Sequence, residues 1–101
     1  MKKEITFVLT SCGRIDLLDK TLESFFKHNS YKCKELFLVE DSVDNEVYKR
    51  IKNKWHKKLT LMFNEEKKGQ IASIVDTYNK VKTPYVFHCE DDWVYIRDNF
   101  I

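Results

Sequence analysis

The chain alternates four short apolar runs with three longer stretches in which apolar side chains recur at helical spacing. The runs cover residues 5–9, 35–39, 59–63 and 85–89. Each is four to eight residues long and flanked by polar or turn-forming residues, which is typical of strands buried in a sheet. The intervening stretches predict amphipathic helices. The pattern therefore predicts the order β-α-β-α-β-α-β.

The helix predictions specify which side chains face the core. The inward stripes are Ile15, Leu18, Leu22, Phe25 and Phe26 in the first helix, Val47, Tyr48, Ile51 and Trp55 in the second, and Ile71, Ile74, Val75, Tyr78 and Val81 in the third. Ser11 is expected to cap the first helix, and Asp44 to serve the start of the second, which runs from residue 43 to about 57. Pro84 disfavours helix just before the last strand.

This alternation predicts an α/β fold, a three-layer Rossmann-like parallel sheet of about four strands and three helices. Parallel strands joined by helices require crossover connections, which are right-handed and place helices on the sheet faces. At 101 residues without a repeat or linker, the chain is expected to be a single domain, 1–101.

Composition and charge narrow the classes of function. A net charge of +2 from 18 basic and 16 acidic residues is too balanced to indicate nucleic acid. The basic residues between positions 49 and 58 fall away from the apolar stripe of their helix, as on a solvated face. No apolar run approaches the roughly 20 residues of a membrane span. Three cysteines without CxxC spacing fit a reduced, cytoplasmic protein.

Acidic side chains follow two of the predicted strands. Glu40 and Asp41 end the second strand, and Glu90, Asp91 and Asp92 end the fourth. Because parallel sheets bind ligands beyond the carboxyl ends of their strands, these carboxylates are expected to share one edge. Neighbouring carboxylates repel one another unless a cation screens them, and Mg²⁺ or Mn²⁺ takes oxygen ligands of this kind. A solvated acidic turn is the alternative interpretation.

Three segments in order resemble the nucleotide-sugar-binding half of glycosyltransferases with the GT-A fold, similar to family 2. They are Thr-Ser-Cys-Gly-Arg-Ile-Asp-Leu-Leu after the first strand, Phe-Leu-Val-Glu-Asp-Ser around position 40, and Phe-His-Cys-Glu-Asp-Asp-Trp, which resembles a DXD-type metal motif in a Glu-Asp-Asp form. The resemblance covers essentially the whole chain. It implies sugar transfer from a nucleoside diphosphate sugar of the UDP or GDP type to an acceptor hydroxyl that the sequence does not identify.

The resemblance also assigns roles to individual residues. Asp92 would be the main ligand of Mn²⁺ or Mg²⁺, and Asp91 would be a second metal residue that also faces the ribose or the donor sugar. The remaining nucleotide-sugar contacts would come from Thr10, Ser11, Arg14, Glu40, Asp41, Gly69 and Gln70. In inverting members of the family the catalytic base lies beyond the metal motif, so it is expected past residue 101, in an acceptor-binding half that the resemblance implies is absent here.

The missing half leaves an alternative function open. The chain would then be a non-catalytic nucleotide-binding fragment or subunit, with an uncovered sheet edge that a homo-oligomer or a partner chain buries. A nucleotidyltransferase is less well supported, because the loop after the first strand contains a single glycine, Gly13. A flavodoxin-like phosphoacceptor would need its acidic pair after the first strand, where none is present.

Overall fold

A computed structural model describes residues 4–29 and 31–91 of the chain. Its elements, in order, are β1 (Ile5–Ser11), α1 (Ile15–His28), β2 (Glu35–Glu40), α2 (Asn45–Trp55), β3 (Thr60–Phe63), α3 (Gln70–Tyr78) and β4 (Tyr85–Glu90). The four strands form one parallel sheet in the order β3-β2-β1-β4. The predicted α/β fold and element order are confirmed.

The main hydrophobic core lies between one face of the sheet and the helices α1 and α2. Side chains alternate along a strand, and Phe7 and Leu9 of β1 point to this face. They join the fully or almost fully buried side chains Leu18, Leu22, Phe25, Leu38, Ile51 and Trp55 in one cluster. The apolar stripes of α1 and α2 therefore pack as their spacing predicts.

The third helix packs on the opposite face in a way that its apolar stripe did not predict. The buried side chains of α3 are the small polar residues Ser73 and Thr77, whereas Ile71 is 80% exposed, Val75 52% and Tyr78 41%. The predicted inward stripe is therefore wrong for these three residues, while Ile74 and Val81 are half-buried. Thr6 and Thr10 of β1 lie on this face, and small polar side chains let the helix approach such a surface closely.

Two predicted boundaries also change. Ser11 is the last residue of β1 and not the cap of α1; Arg14 takes the N-cap position, and no side chain caps the helix there. The second helix begins at Asn45, two residues later than predicted. Val43 has a positive φ of 53°, which is incompatible with a right-handed helix, so the helix cannot include it. Asp44 does cap it, accepting hydrogen bonds from the Glu46 and Val47 amides.

The strand order defines where a ligand could bind. The chain moves from β1 outward through β2 to β3, and then crosses back to β4 on the other side of β1. The helix that follows β1 (α1) and the helix that precedes β4 (α3) therefore lie on opposite faces of the sheet, and open α/β sheets bind ligands at the carboxyl ends of the strands where the helices change face. Among the described residues, no helix combines the length and apolarity needed to cross a membrane.

Candidate functional site

A pocket of about 190 Å³ opens at the carboxyl ends of β1, β2 and β4, beside the start of α3. Its lining includes seven of the residues that the sequence analysis selected: Thr10, Ser11, Arg14, Asp41, Gly69, Gln70 and Asp91. The ends of β2 and β4, fifty residues apart in sequence, therefore meet at one edge as expected. Glu40 is not in the lining, and Asp92 lies outside the described residues.

Glu40 is fully buried and ties together the loops around β1 and β2. Its carboxylate accepts hydrogen bonds from the Ser11 hydroxyl at 2.5 Å, from the Gly13 amide at 2.8 Å and from the Ser42 amide at 3.0 Å. A carboxylate has about four acceptor positions, and three of these are occupied within the chain. Glu40 therefore shapes the loop before α1 and does not face the pocket.

Asp41 points to the other face of the sheet and organises the loop before α3. It accepts hydrogen bonds from Asn64 Nδ2 at 2.8 Å and from the Lys68 and Gly69 amides, both at 2.9 Å. Burial disfavours its charged form, but these three bonds and the nearby Lys67 ammonium outweigh that effect and lower the pKa of Asp41. Asp41 is therefore a stable anion in the pocket wall.

Asp91 forms an ion pair with Arg14 across the pocket. Arg14 donates from both Nε and a terminal nitrogen, so the guanidinium engages both oxygens of a carboxylate that is 96% buried as a side chain. The Asp91 carbonyl in turn accepts from the Thr21 hydroxyl at 2.8 Å. These contacts join the end of β4 to α1, and two-pronged Arg–carboxylate pairs fix geometry well.

The start of α3 closes the remaining side of the pocket. Gln70 Nε2 donates to the Glu90 carboxylate at 3.0 Å, linking α3 to the end of β4. Gly69, the residue before the helix, has φ 82° and ψ 165°, a conformation that is essentially restricted to glycine. A Cβ at Gly69 would meet no atom within 4 Å, so glycine is required here by the backbone conformation and not by lack of space.

The pocket combines two cationic side chains with carboxylates. Arg14 and Lys67 both line it and can attract phosphate oxygens. Asp41 retains acceptor capacity for an imide N–H or a ribose hydroxyl. The volume is below the roughly 300–1,000 Å³ of complete small-molecule sites, so the described residues would enclose only part of a nucleotide sugar.

Lys67, Val39 and Ser73 line the pocket although the sequence analysis did not select them. Val39 is an ordinary strand residue in sequence, and nothing marks it. Ser73 carried a usable signal, because Ser73 and Thr77 are small polar residues four positions apart and so share one face of α3. Lys67 could have been found from its place in the loop that follows β3.

The carboxylate oxygens at the end of β4 suit a hard divalent cation, but their present hydrogen-bond partners would compete with a metal ion. Among residues 4–29 and 31–91, no group of three His, Cys, Asp or Glu side chains is arranged to hold a metal. Both Asp91 oxygens accept from Arg14, so a cation at Asp91 would compete with the guanidinium. Carboxylate oxygens remain the correct ligand type for Mg²⁺ or Mn²⁺, with Asp92 as the expected main ligand.

The fold and the pocket define the class of protein as a Rossmann-like α/β domain with a polar crevice at the carboxyl ends of its strands. Comparison with models of known protein families found no match, and a search of curated proteins found no significant similarity.

Proposed function

We propose that this chain is the donor-binding part of a metal-dependent glycosyltransferase that uses a nucleoside diphosphate sugar of the UDP or GDP type. One observation carries the proposal: seven residues selected by resemblance to GT-A enzymes line a single pocket at the crevice between β1 and β4. A cytoplasmic location is part of the proposal, and the three cysteines are free thiols.

The residues of the pocket have distinct tasks in this proposal. Asp41 accepts from the base or the ribose, while Arg14 and Lys67 attract the diphosphate. Transfer breaks the bond between the anomeric carbon and a phosphate oxygen and forms a bond from that carbon to the acceptor oxygen. The acceptor proton passes to a base that we expect beyond residue 101. A bound Mn²⁺ or Mg²⁺ would neutralise charge on the departing diphosphate.

Isothermal titration calorimetry with UDP and GDP, each with and without Mn²⁺, tests the metal assignment. We expect Mn²⁺ to strengthen binding, and Asp92→Asn to abolish that gain. Asp16→Asn is the matched control, because Asp16 is an exposed carboxylate in the first turn of α1 and is not in the pocket lining. Binding that ignores the metal, or an unchanged gain in Asp92→Asn, would overturn the role of Asp92.

A second titration tests the pocket independently of the metal. Lys67→Gln is expected to weaken UDP or GDP binding about tenfold, since a charge-assisted hydrogen bond is worth roughly 1.4 kcal/mol or more. Lys49→Gln removes the same charge from an exposed position on α2, outside the pocket, and should leave the affinity unchanged. Equal effects of the two variants would contradict the assignment of this pocket.

A second candidate function is a non-catalytic nucleotide-binding subunit that needs a partner chain. The supporting observation is that α3 exposes the apolar side chains Ile71, Val75 and Tyr78, and that the edge strand β4 exposes Val86 on the same face of the sheet. Exposed apolar patches of this kind mark interaction sites. Light scattering over a range of concentrations separates the candidates, because only the subunit candidate requires association. A monomer that binds no nucleotide would count against both.

A further inference from the structure

The amino ends of the strands carry a pattern of charge that the candidate site does not use. Three loops lead from a helix into a strand, at residues 29–34, 56–59 and 79–84, and each contains two lysines. None of the three contains an aspartate or a glutamate. The six side chains are exposed, and we call them the lysine edge: Lys32, Lys34, Lys57, Lys58, Lys80 and Lys82.

Hydrogen bonds show that the three loops lie at one edge of the sheet. The Lys34 amide donates to the Ile5 carbonyl at 2.9 Å, and the Thr83 hydroxyl lies 2.7 Å from the Thr6 hydroxyl. The first and third loops therefore flank the start of β1. The first and second loops share a groove of about 290 Å³ whose lining includes Lys34, Lys57 and Lys58. Neighbouring strands are about 4.8 Å apart, so the whole edge spans only about 14 Å.

Among residues 4–29 and 31–91, most of this charge has no carboxylate partner. In the described part of the protein, Lys34 is the one member of the lysine edge with a carboxylate partner, Glu4 at 3.3 Å, and both side chains are 58% exposed. Lys58 lies over the Phe26 ring at 4.8 Å, a contact that leaves its charge in place. Glu4 directly precedes β1 and Glu35 begins β2, so the six lysines exceed the carboxylates of this edge by four charges, although the chain as a whole carries a net charge of only +2.

We propose that the lysine edge docks this protein onto an anionic lipid surface. All six residues are lysines and none is arginine. Lysine is a point charge that responds to the density of negative charge, whereas specific phosphate and nucleic-acid recognition favours the planar fork of arginine. The affinity for a plane of anionic headgroups rises with the number of positive charges that reach the plane together, and each nearby lysine strengthens binding several-fold.

The geometry of the fold suits docking at this edge. All four strands run the same way, so their amino ends lie at one edge and the candidate pocket lies at the other. A plane in contact with the lysine edge brings all three loops within a Debye length, about 8–10 Å near physiological salt. The pocket then faces away from the membrane and stays open to solution. The proposal does not depend on what the pocket binds.

Co-sedimentation of the full chain with vesicles tests the proposal. Vesicles of phosphatidylcholine alone are compared with an equal mixture of phosphatidylcholine and phosphatidylserine. We expect binding to the anionic vesicles only, with release as the salt approaches about 1 M, where the Debye length falls to about 3 Å. The triple variant Lys32→Gln, Lys57→Gln, Lys82→Gln takes one lysine from each loop and avoids the two with internal contacts. It should bind about 150-fold more weakly, since each lysine near the surface contributes about 1 kcal/mol.

The control removes the same amount of charge from outside the lysine edge. Lys20→Gln, Lys49→Gln, Arg50→Gln changes exposed residues in the middle of α1 and α2. It should lose less than about threefold in vesicle affinity, because these residues lie farther from the docked plane. Urea unfolding of both variants confirms that they are folded. Equal losses in the two variants, binding to neutral vesicles, or tighter binding to a DNA or RNA duplex at the same salt would each overturn the proposal.

Discussion

At the scale of single residues, Val43 is held in a conformation that its side chain disfavours. Its φ of 53° lies in the left-handed region, where a β-branched residue is a strong outlier. The Val43 amide donates to the Tyr48 hydroxyl at 2.9 Å, and that hydroxyl donates to the Asn64 carbonyl at 2.7 Å. Tyr48 thus holds the ends of β2 and β3 together and keeps the turn after Asp41 in place.

Val43→Gly is expected to stabilise the protein. Left-handed backbone costs a residue with a Cβ roughly 1–2 kcal/mol, and glycine avoids this cost. Glycine also has more conformational entropy in the unfolded chain, which offsets part of the stabilisation. The net increase in the free energy of unfolding should be about 0.5–1 kcal/mol, measured by urea denaturation. Val43→Ala keeps the Cβ and should show no such gain; a larger gain with alanine than with glycine would contradict this explanation.

Asp41 makes the free energy of unfolding depend on pH, because its hydrogen bonds favour the ionised carboxylate. The pKa of its carboxyl is lowered by the folded structure, so the unfolded chain takes up this proton first as the pH falls. Its contribution to stability is therefore complete above the unfolded value of about 4, and is lost as the pH falls through the lower folded value.

Asp41→Asn should lower the free energy of unfolding by about 2–3 kcal/mol at neutral pH, because an amide cannot accept all three bonds. The variant should also lose less stability than the wild type between about pH 5 and pH 3. Urea denaturation at the two pH values measures both effects. An equal loss on acidification in the two proteins would show that Asp41 does not contribute to the pH dependence.

At the scale of elements, the three helices differ in how they are held. The helices α1 and α2 contribute large buried side chains, and they also contact each other through Trp55 Nε1, which donates to Asp19 at 3.0 Å. In α3, Thr77 donates to the Ser73 carbonyl at 2.7 Å, and these two residues are its buried side chains. The apolar stripe therefore faces the core in α1 and α2, as predicted, but is largely exposed in α3.

A matched pair of substitutions measures this difference. Ile51 is 1% exposed on α2 and Ile71 is 80% exposed on α3. Ile51→Ala should lower the free energy of unfolding by about 2–5 kcal/mol, whereas Ile71→Ala should change it by less than about 0.5 kcal/mol. Chemical denaturation at low protein concentration makes the comparison. Similar losses in both variants would mean that Ile71 is covered in solution.

At the scale of the whole molecule, the described residues form one thick layer and one thin layer around the sheet. The central strand β1 pairs with β2 and β4 along its length, and Phe7, Val8 and Leu9 are fully buried. The face covered by α3 is poorer in large apolar side chains. The carboxyl ends of the strands hold the polar pocket and the amino ends hold the lysine edge, so the two proposed binding surfaces lie at opposite ends of the strands.

Amide hydrogen exchange should follow this division. The amides of β1 and β2 are expected to exchange slowest, through opening close to global unfolding, because both strands are paired on two sides. Amides of α3 should exchange faster, since less apolar surface must be exposed to release that helix. Mass spectrometry of peptides after exchange measures the order. Protection in α3 equal to that in β1 would contradict the description of a thin layer.

Much of the fold could be predicted from sequence because it depends on local periodicity. Each strand is a short apolar run, and each helix has a repeat near 3.6 residues, so the element order and the parallel sheet followed. The pocket edge was also predictable, because carboxyl ends of parallel strands coincide. The partners of Glu40, Asp41 and Asp91 were not predictable, since each is bonded by residues from other loops, at separations of up to 77 positions.

The sequence by itself determined which segments become strands and helices, and that acids end two of the strands while lysine pairs precede three. Only the tertiary structure decided which face α3 buries, and which carboxylates anchor loops and which remain at the pocket. The physical reason is that periodicity acts between near neighbours, whereas hydrogen-bond partners and charge fields depend on which distant segments the sheet brings together.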